Sequence, residues 1–175
     1  MTEPTLSRQW YAVHVKSNQE RLTAEFLANR AVVHFLPTYT VRSSRRDRQK
    51  TLVCPLFTGY LFVHVDYRHK ERVEVLKAPG TVRIVSFSGK LISIPDETIE
   101  SIRILVGDPG NSVRPHPLVQ VGRLVKVVDG PFSGAIGKLQ QTKDKKPKLV
   151  VEIEFLGRAV AVPISPEQVQ PIWDT

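Results

Sequence analysis

The chain has 175 residues, enough for one medium domain or two small ones. Hydrophobic residues at 41% and charged residues at 24% exclude a disordered chain. No apolar run approaches the roughly 18 residues of a membrane-spanning helix. Lys and Arg number 25 against 17 Asp and Glu, and the net charge of +8 favours a polyanionic or acidic partner. The single cysteine, Cys54, excludes a disulfide within one chain and a zinc site built from cysteines. Met1-Thr2-Glu3-Pro4 lacks the basic-then-apolar pattern of a secretory leader, so the expected location is the cytoplasm, with no membrane partner.

The alternation from Gln9 to Val15 predicts a strand. Ser17 with Glu20 three residues later reads as a capping box, opening a helix to about Arg30 with Leu22, Phe26 and Leu27 inward. Val32 to Leu36 predicts a short strand. Thr38 to Val53 predicts an extended hairpin with a charged tip from Arg42 to Lys50. A strong strand follows over Leu56 to Val65. Asp66 then caps a helix that carries Val73 and Leu76 and stops at Pro79-Gly80. Thr81 to Phe87 and Leu91 to Ile94 predict short strands. Pro95-Asp96-Glu97 suits a helix start, with Ile99, Ile102 and Val106 inward. This order implies a split β-α-β sheet with helices on one face.

Residues 108–117 hold Pro109, Pro115 and Pro117 and read as a flexible linker. Residues 1–107 carry 16 basic and 10 acidic side chains, a net +6, and residues 108–175 carry 9 and 7, a net +2. From 118 to 175 nearly everything reads as strand. Val121 to Val128, Leu149 to Phe155 and Val160 to Ile164 alternate at period 2, and Gly130, Gly134 and Gly137 mark turns. Five short strands in so small a domain predict a closed barrel, because closure removes exposed edges. On Leu149 to Phe155, Glu152 and Glu154 are expected on the solvent side. The fold class expected is α+β.

Val121-Gly122-Arg123-Leu124-Val125-Lys126-Val127-Val128-Asp129-Gly130-Pro131-Phe132-Ser133-Gly134-Ala135-Ile136-Gly137 resembles a KOW motif, found in ribosomal proteins and in the NusG family alike. The first half decides between them. Gln9-Trp10-Tyr11-Ala12-Val13, Pro55-Leu56-Phe57-Thr58-Gly59-Tyr60-Leu61-Phe62-Val63 and Ala78-Pro79-Gly80-Thr81-Val82 resemble, in order, stretches of the NusG N-terminal domain. Phe155-Leu156-Gly157-Arg158-Ala159-Val160 resembles the family's late barrel strand. The resemblance implies a NusG N-terminal domain over 1–107, the linker over 108–117, and an SH3-like KOW barrel over 118–175. The family's usual proline between Phe57 and Gly59 is Thr58 here, and the hairpin with the Pro-Leu-Phe-x-x-Tyr-Leu-Phe-Val pattern of residues 55–63 leans toward the specialised RfaH/UpxY-like branch. The intact Gly130-Pro131-Phe132 turn is also what a housekeeping member carries.

The implied function is transcription elongation and antitermination, by a monomer without cofactor. The resemblance places His14, Phe57, Tyr60 and Phe62 in an apolar pocket for the clamp helices of RNA polymerase. Taken alone, such strand aromatics are either core or contact surface. Parity puts Tyr60, Phe62 and His64 on one face of their strand, and Trp10, Ala12 and His14 on a face of theirs, read as separate faces. Arg42, Arg45, Arg46, Arg48 and Lys50, opposed by Asp47 alone, are either a solvated loop or a nucleic-acid contact; the resemblance implies DNA in the elongation complex. Lys16 and Arg21 are implied near the non-template strand. Phe132, Ile136, Phe155, Leu156 and Arg158 match positions that dock Rho or a small-subunit ribosomal protein. Phe132, on a turn, is hard to read as core, whereas Phe155 shares parity with the expected core residues Leu149, Val151 and Ile153. His14, His34, His64, His69 and His116 show no metal spacing, and no nucleophile or phosphate loop is present, so neither a metal site nor catalysis is expected. The alternatives are a ribosome-associated RNA-binding KOW protein and a housekeeping NusG acting with Rho.

Overall fold

The computed structural model describes residues 8–42, 51–68, 70–107, 113–117, 122–141, 147–153 and 156–172. By backbone contacts the chain forms two compact units, one of residues 1–36 and 57–96, the other of residues 37–56 and 97–175.

The first unit contains β1 (Gln9–Val15), α1 (Glu20–Asn29), β2 (His34–Phe35) and, after the chain leaves and returns, β5 (Tyr60–Val65). It continues with α2 (Lys70–Lys77), β6 (Thr81–Ile84), β7 (Ser86–Phe87), β8 (Lys90–Leu91) and β9 (Ser93–Ile94). The strands form an antiparallel sheet ordered β2-β5-β1-β6, with β9 also paired to β1. One face carries Tyr11, Val13, Val15, Leu61, Val63 and Val65, and it packs with Leu27, Val75 and Ala78 into one buried cluster. Burial, reinforced by Tyr67 and Asp66 and opposed by Arg68, pushes the Tyr11 phenol above its ordinary value of 10.0. The hydroxyl therefore stays protonated near neutrality and donates to Gln9 Oε1 at 3.0 Å.

The helices form where expected, with different faces inward. Glu20 does not close a capping box: its carboxylate accepts from the Gly59 backbone N–H at 2.8 Å, and the residue is 3% exposed. A buried carboxylate needs such a donor, and the turn before β5 supplies it. The buried stripe of α1 is Glu20, Thr23 and Leu27, which leaves Leu22 exposed. Thr23 reaches 0% exposure because its hydroxyl donates to Pro79 O at 2.5 Å. In α2 the inward residue is Val75, and Val73 and Leu76 face out. Asp66 accepts from the Arg68 N–H at 2.9 Å ahead of that helix.

The second unit begins with the hairpin of β3 (Thr38–Arg42) and β4 (Thr51–Pro55), in register from Thr38↔Pro55 to Arg42↔Thr51. Then come α3 (Asp96–Gly107), β10 (Arg114–Pro117), β11 (Arg123–Val127), β12 (Ile136–Gln141), β13 (Pro147–Ile153) and β14 (Arg158–Pro163). A 3-10 turn (Pro166–Gln168) leads to β15 (Val169–Pro171). The sheet order is β10-β14-β13-β12-β11-β15. Arg114–Pro117, expected as linker, thus extends the barrel sheet. Its two prolines are tolerated because, among the described residues, β10 lies at the edge of the sheet and has a strand on one side alone. In α3 Ile99, Ser101, Ile102 and Leu105 are buried, and Ser101 Oγ accepts from the Ile136 N–H at 2.9 Å. Among the described residues no helix is long and apolar enough to cross a membrane.

The barrel strands are regular β-structure, as their Val-rich alternation predicts. At Gly130, φ is +84°, and the Gln168 side chain fills the space a Cβ would take. Two expectations fail here. Phe132 is 4% exposed and belongs to the interior. Glu152 is not solvated: its side chain is 6% exposed and binds Lys138 Nζ at 2.6 Å. Both faces of β13 are covered, since Val150 packs with Ala159 and Ala161 while Leu149 and Val151 are also buried. The other oxygen, Glu152 Oε1, is buried without a hydrogen-bond partner among the described residues, so its stability rests on Lys138. Lys138→Met alone is expected to cost about 3–5 kcal/mol, because it strands a buried charge. Adding Glu152→Leu should restore stability to near that of the parent, as urea unfolding of both variants will measure.

Candidate functional site

The site is the sheet face opposite the helix-side core. Its construction follows from the pairing of β1 with β5, Trp10↔His64, Ala12↔Phe62 and His14↔Tyr60. Residues directly opposite in an antiparallel pair project to the same side. The two trios read as separate faces are therefore one face. Trp10 and His64 stack with centroids 5.0 Å apart, and His14 and Tyr60 lie 5.2 Å apart. Phe62 is flanked by Phe57 at 5.5 Å, edge-on, and by Phe35 at 6.3 Å.

This face is graded in exposure. Phe57, Phe62, Ala12 and Trp10 are buried, whereas His14, Tyr60 and His64 are half-buried. Of the four residues expected to meet a partner, Phe57 and Phe62 belong to the core in this structure, and His14 with Tyr60 offers surface. The pair is held rigidly. Val15 N–H donates to Gly59 O at 2.9 Å, Tyr60 N–H to Phe57 O at 2.9 Å, and Glu20 holds the Gly59 N–H from the other side. The Trp10–His64 stack was missed as part of this face. The signal lay in the register, which places each even-numbered residue of β1 opposite an even-numbered residue of β5.

The cationic candidates divide. Lys16 and Arg21 are exposed at the turn from β1 into α1, with Lys16 N–H donating to Gly80 O at 2.8 Å. Arg42 ends β3; Arg45, Arg46, Arg48 and Lys50 lie outside the described residues, between two strands whose pairing forms the stem expected of a hairpin. In the barrel, the pairings Lys138↔Val150 and Glu152↔Ala159 bring the start of β12, the end of β13 and the start of β14 to one end of the sheet. Ile136, half-buried Leu156 and exposed Arg158 gather there, while Phe155 lies outside the described residues. Among the described residues no cluster of His, Cys, Asp or Glu is arranged to hold a metal ion.

Comparison with known proteins agrees with this architecture. The family described as "NusG: Transcription termination factor nusG" matches residues 8–103, more than half of the chain. The chain belongs to the NusG family. It is 25% identical over 180 residues to the transcription termination/antitermination protein NusG of Pseudomonas aeruginosa, covering 95% of this chain and 100% of that protein. It is also 25% identical over 185 residues to the protein of the same name from Staphylococcus aureus, covering 98% and 100%. The solved structure "Domain interaction in Thermotoga maritima NusG" shares the fold, with a TM-score of 0.52, 22% identity, and coverage of 95% of this chain and 98% of that one. The resemblance drawn from the strand and turn motifs thus holds for the family and for its mixed α/β and β-rich architecture.

The grading of the aromatic face separates stability from surface. Phe57→Ala empties a fully buried site and is expected to cost about 3–5 kcal/mol. Tyr60→Ala, on the half-buried rim, should cost ~1 kcal/mol. Chemical denaturation of the two variants will show whether the losses differ in this order.

Proposed function

We propose that this NusG-family chain is an elongation factor that binds the clamp helices of RNA polymerase through the rim of the aromatic face and suppresses pausing and termination. The observation that supports it is the half-buried His14–Tyr60 pair at one end of a sheet face whose Trp10, Ala12, Phe57 and Phe62 are buried. A Tyr ring buries a large area on contact and its hydroxyl finds a partner at the edge, which is why such residues anchor interfaces. The tight turn behind the pair lowers the ordering cost of binding. Phe57 and Phe62 act behind this rim as its support. A protein that binds the closed clamp better than the open one shifts the population toward the closed state, and pauses that need an open clamp become shorter.

The arginine-rich tip from Arg42 to Lys50 serves upstream DNA, with Lys16 and Arg21 nearer the non-template strand. Contacts of this kind to phosphate are independent of sequence and sensitive to salt. The barrel end at Ile136, Leu156 and Arg158 recruits a second partner, Rho or a small-subunit ribosomal protein, with Phe155 and Phe132 as further members of that partner site.

Tyr60→Ala combined with His14→Ala is expected to weaken binding to core polymerase by ~2 kcal/mol or more, about thirtyfold. Binding measured against ribosomal subunits in parallel tests the reading directly. A folded double variant that still binds polymerase normally, or a parent protein that prefers ribosomal subunits, would defeat it. Neutralising Arg45, Arg46 and Arg48 should lower the slope of log affinity against log salt for DNA by about 0.9 per lost phosphate contact. An unchanged slope and affinity would make the tip a solvated loop.

A further inference from the structure

The first unit has a cleft that the proposed polymerase face does not use. It measures about 670 Å³ and is lined in part by Tyr11, Tyr67, Arg72, Arg83, Ser86 and Lys90. That volume lies within the range of roughly 300–1,000 Å³ typical of ligand sites. Three cations border it, and among the described residues no carboxylate does. The nearby acids are already engaged: Glu71 with Arg8, Glu74 with Arg30 and Lys77, and Asp66 with Arg68. Arg72, Arg83 and Lys90 form no ion pair among the described residues, so their charge is left for an anion.

Exposed aromatics accompany the charge. Tyr67 is 43% exposed, and Phe87 is 74% exposed, the most exposed of the large hydrophobic side chains described. Phe87 pairs directly with Lys90 across β7 and β8. The two residues between them, Ser88 and Gly89, have φ of 48° and 77°. Two successive left-handed residues make the tight turn that matches strand twist, so the hairpin holds the ring and the ammonium side by side. A single exposed Phe is no anomaly by itself, and its weight here comes from standing beside Lys90 at the edge of a cationic cleft. The Tyr67 ring is already met by the Arg68 guanidinium at 5.7 Å and by Tyr11 edge-on, which leaves Phe87 as the open ring. Cations beside an open ring suit an unstacked chain of nucleotides, whose bases offer flat faces and whose backbone offers charge. A duplex hides its base faces, and an acidic peptide leaves the rings unused.

We propose that this basic cleft binds single-stranded nucleic acid, with phosphates on Arg72, Arg83 and Lys90 and a base against Phe87, which lies outside the lining but opposite Lys90 on the hairpin at its edge. Tyr11 belongs to the helix-side face of β1, whereas Trp10 and His14 belong to the opposite face. Occupation of the cleft therefore leaves the His14–Tyr60 rim free.

The test uses the full-length protein with Arg45, Arg46 and Arg48 changed to Ala, which removes the hairpin tip as a competing site. Fluorescence anisotropy with labelled oligothymidylate, the matching duplex and a labelled mononucleotide gives the affinities. Single strand should bind best. Arg72→Ala with Arg83→Ala should lower the salt slope by about 0.7 per lost contact. Phe87→Ala should weaken single-strand binding about tenfold without changing the slope, and Phe87→Trp should restore it. Both sites are exposed, and an unchanged melting temperature will confirm that the variants are folded. Equal binding of duplex, binding of mononucleotide as tight as that of oligomer, or single-strand affinity unmoved by these substitutions would each overturn the proposal. Polymerase binding by the Phe87→Ala protein should remain at the parent level, so failure here is distinguishable from failure of the polymerase-face reading.

Discussion

The antiparallel pairing of β1 with β5, held from Gln9↔Val65 to His14↔Tyr60, is the constraint on which the first unit depends. Because side chains alternate across a strand, one register assigns every residue of both strands to one of two faces. A slip of β1 by one residue against β5 would carry Val13 out of the helix-side core and carry Trp10 and His14 into it. The register is pinned at one end by the turn at Gly59, whose N–H is held by Glu20 and whose carbonyl is held by Val15. A buried acid on α1 thus helps to fix which aromatic residues share a surface.

That arrangement ties stability to function in a graded way. Trp10, Phe57 and Phe62 are large and buried, so they fix the sheet and contribute to the hydrophobic stabilisation that offsets chain entropy. His14 and Tyr60 continue the same row to the open end, where the ring pair remains partly wet. A binding rim built on a packed face is already ordered before the partner arrives. The opposite face follows a different logic: its interior is aliphatic, and near the Tyr11 end it gives way to a cleft bordered by cations and exposed rings.

The barrel unit shows the same economy with another device. Its strands have apolar residues on both faces, and the one acid described on β13, Glu152, is buried with Lys138 rather than solvated. Such a pair adds little net stability, but removing one partner is costly, so it penalises arrangements in which β12 and β13 are misaligned. Gly130 serves similarly, since the turn ahead of Phe132 needs a φ of +84°, which glycine adopts without strain.

Much of this was legible in the sequence by itself. Period-2 alternation located the β1, β5, β11, β13 and β14 segments, the Pro-Gly pair marked the end of α2, and ordered motifs pointed to the NusG family. These are local signals, governed by side-chain period and turn chemistry, and they need no knowledge of neighbours. Which face of a short helix turns inward was not local: Val75 rather than Leu76, and Thr23 rather than Leu22, are buried because of where the sheet and Pro79 lie. The edge strand Arg114–Pro117 was concealed by its prolines, which forbid a central strand and permit an edge one. The fates of Phe132 and Glu152 depended on what covers them, and a single strand's alternation carries no information about its outer neighbours. The union of Trp10, His14, Tyr60 and His64 on one face was decided only by the tertiary structure, because register relates residues that are about fifty positions apart in the chain and meet only when the strands pair.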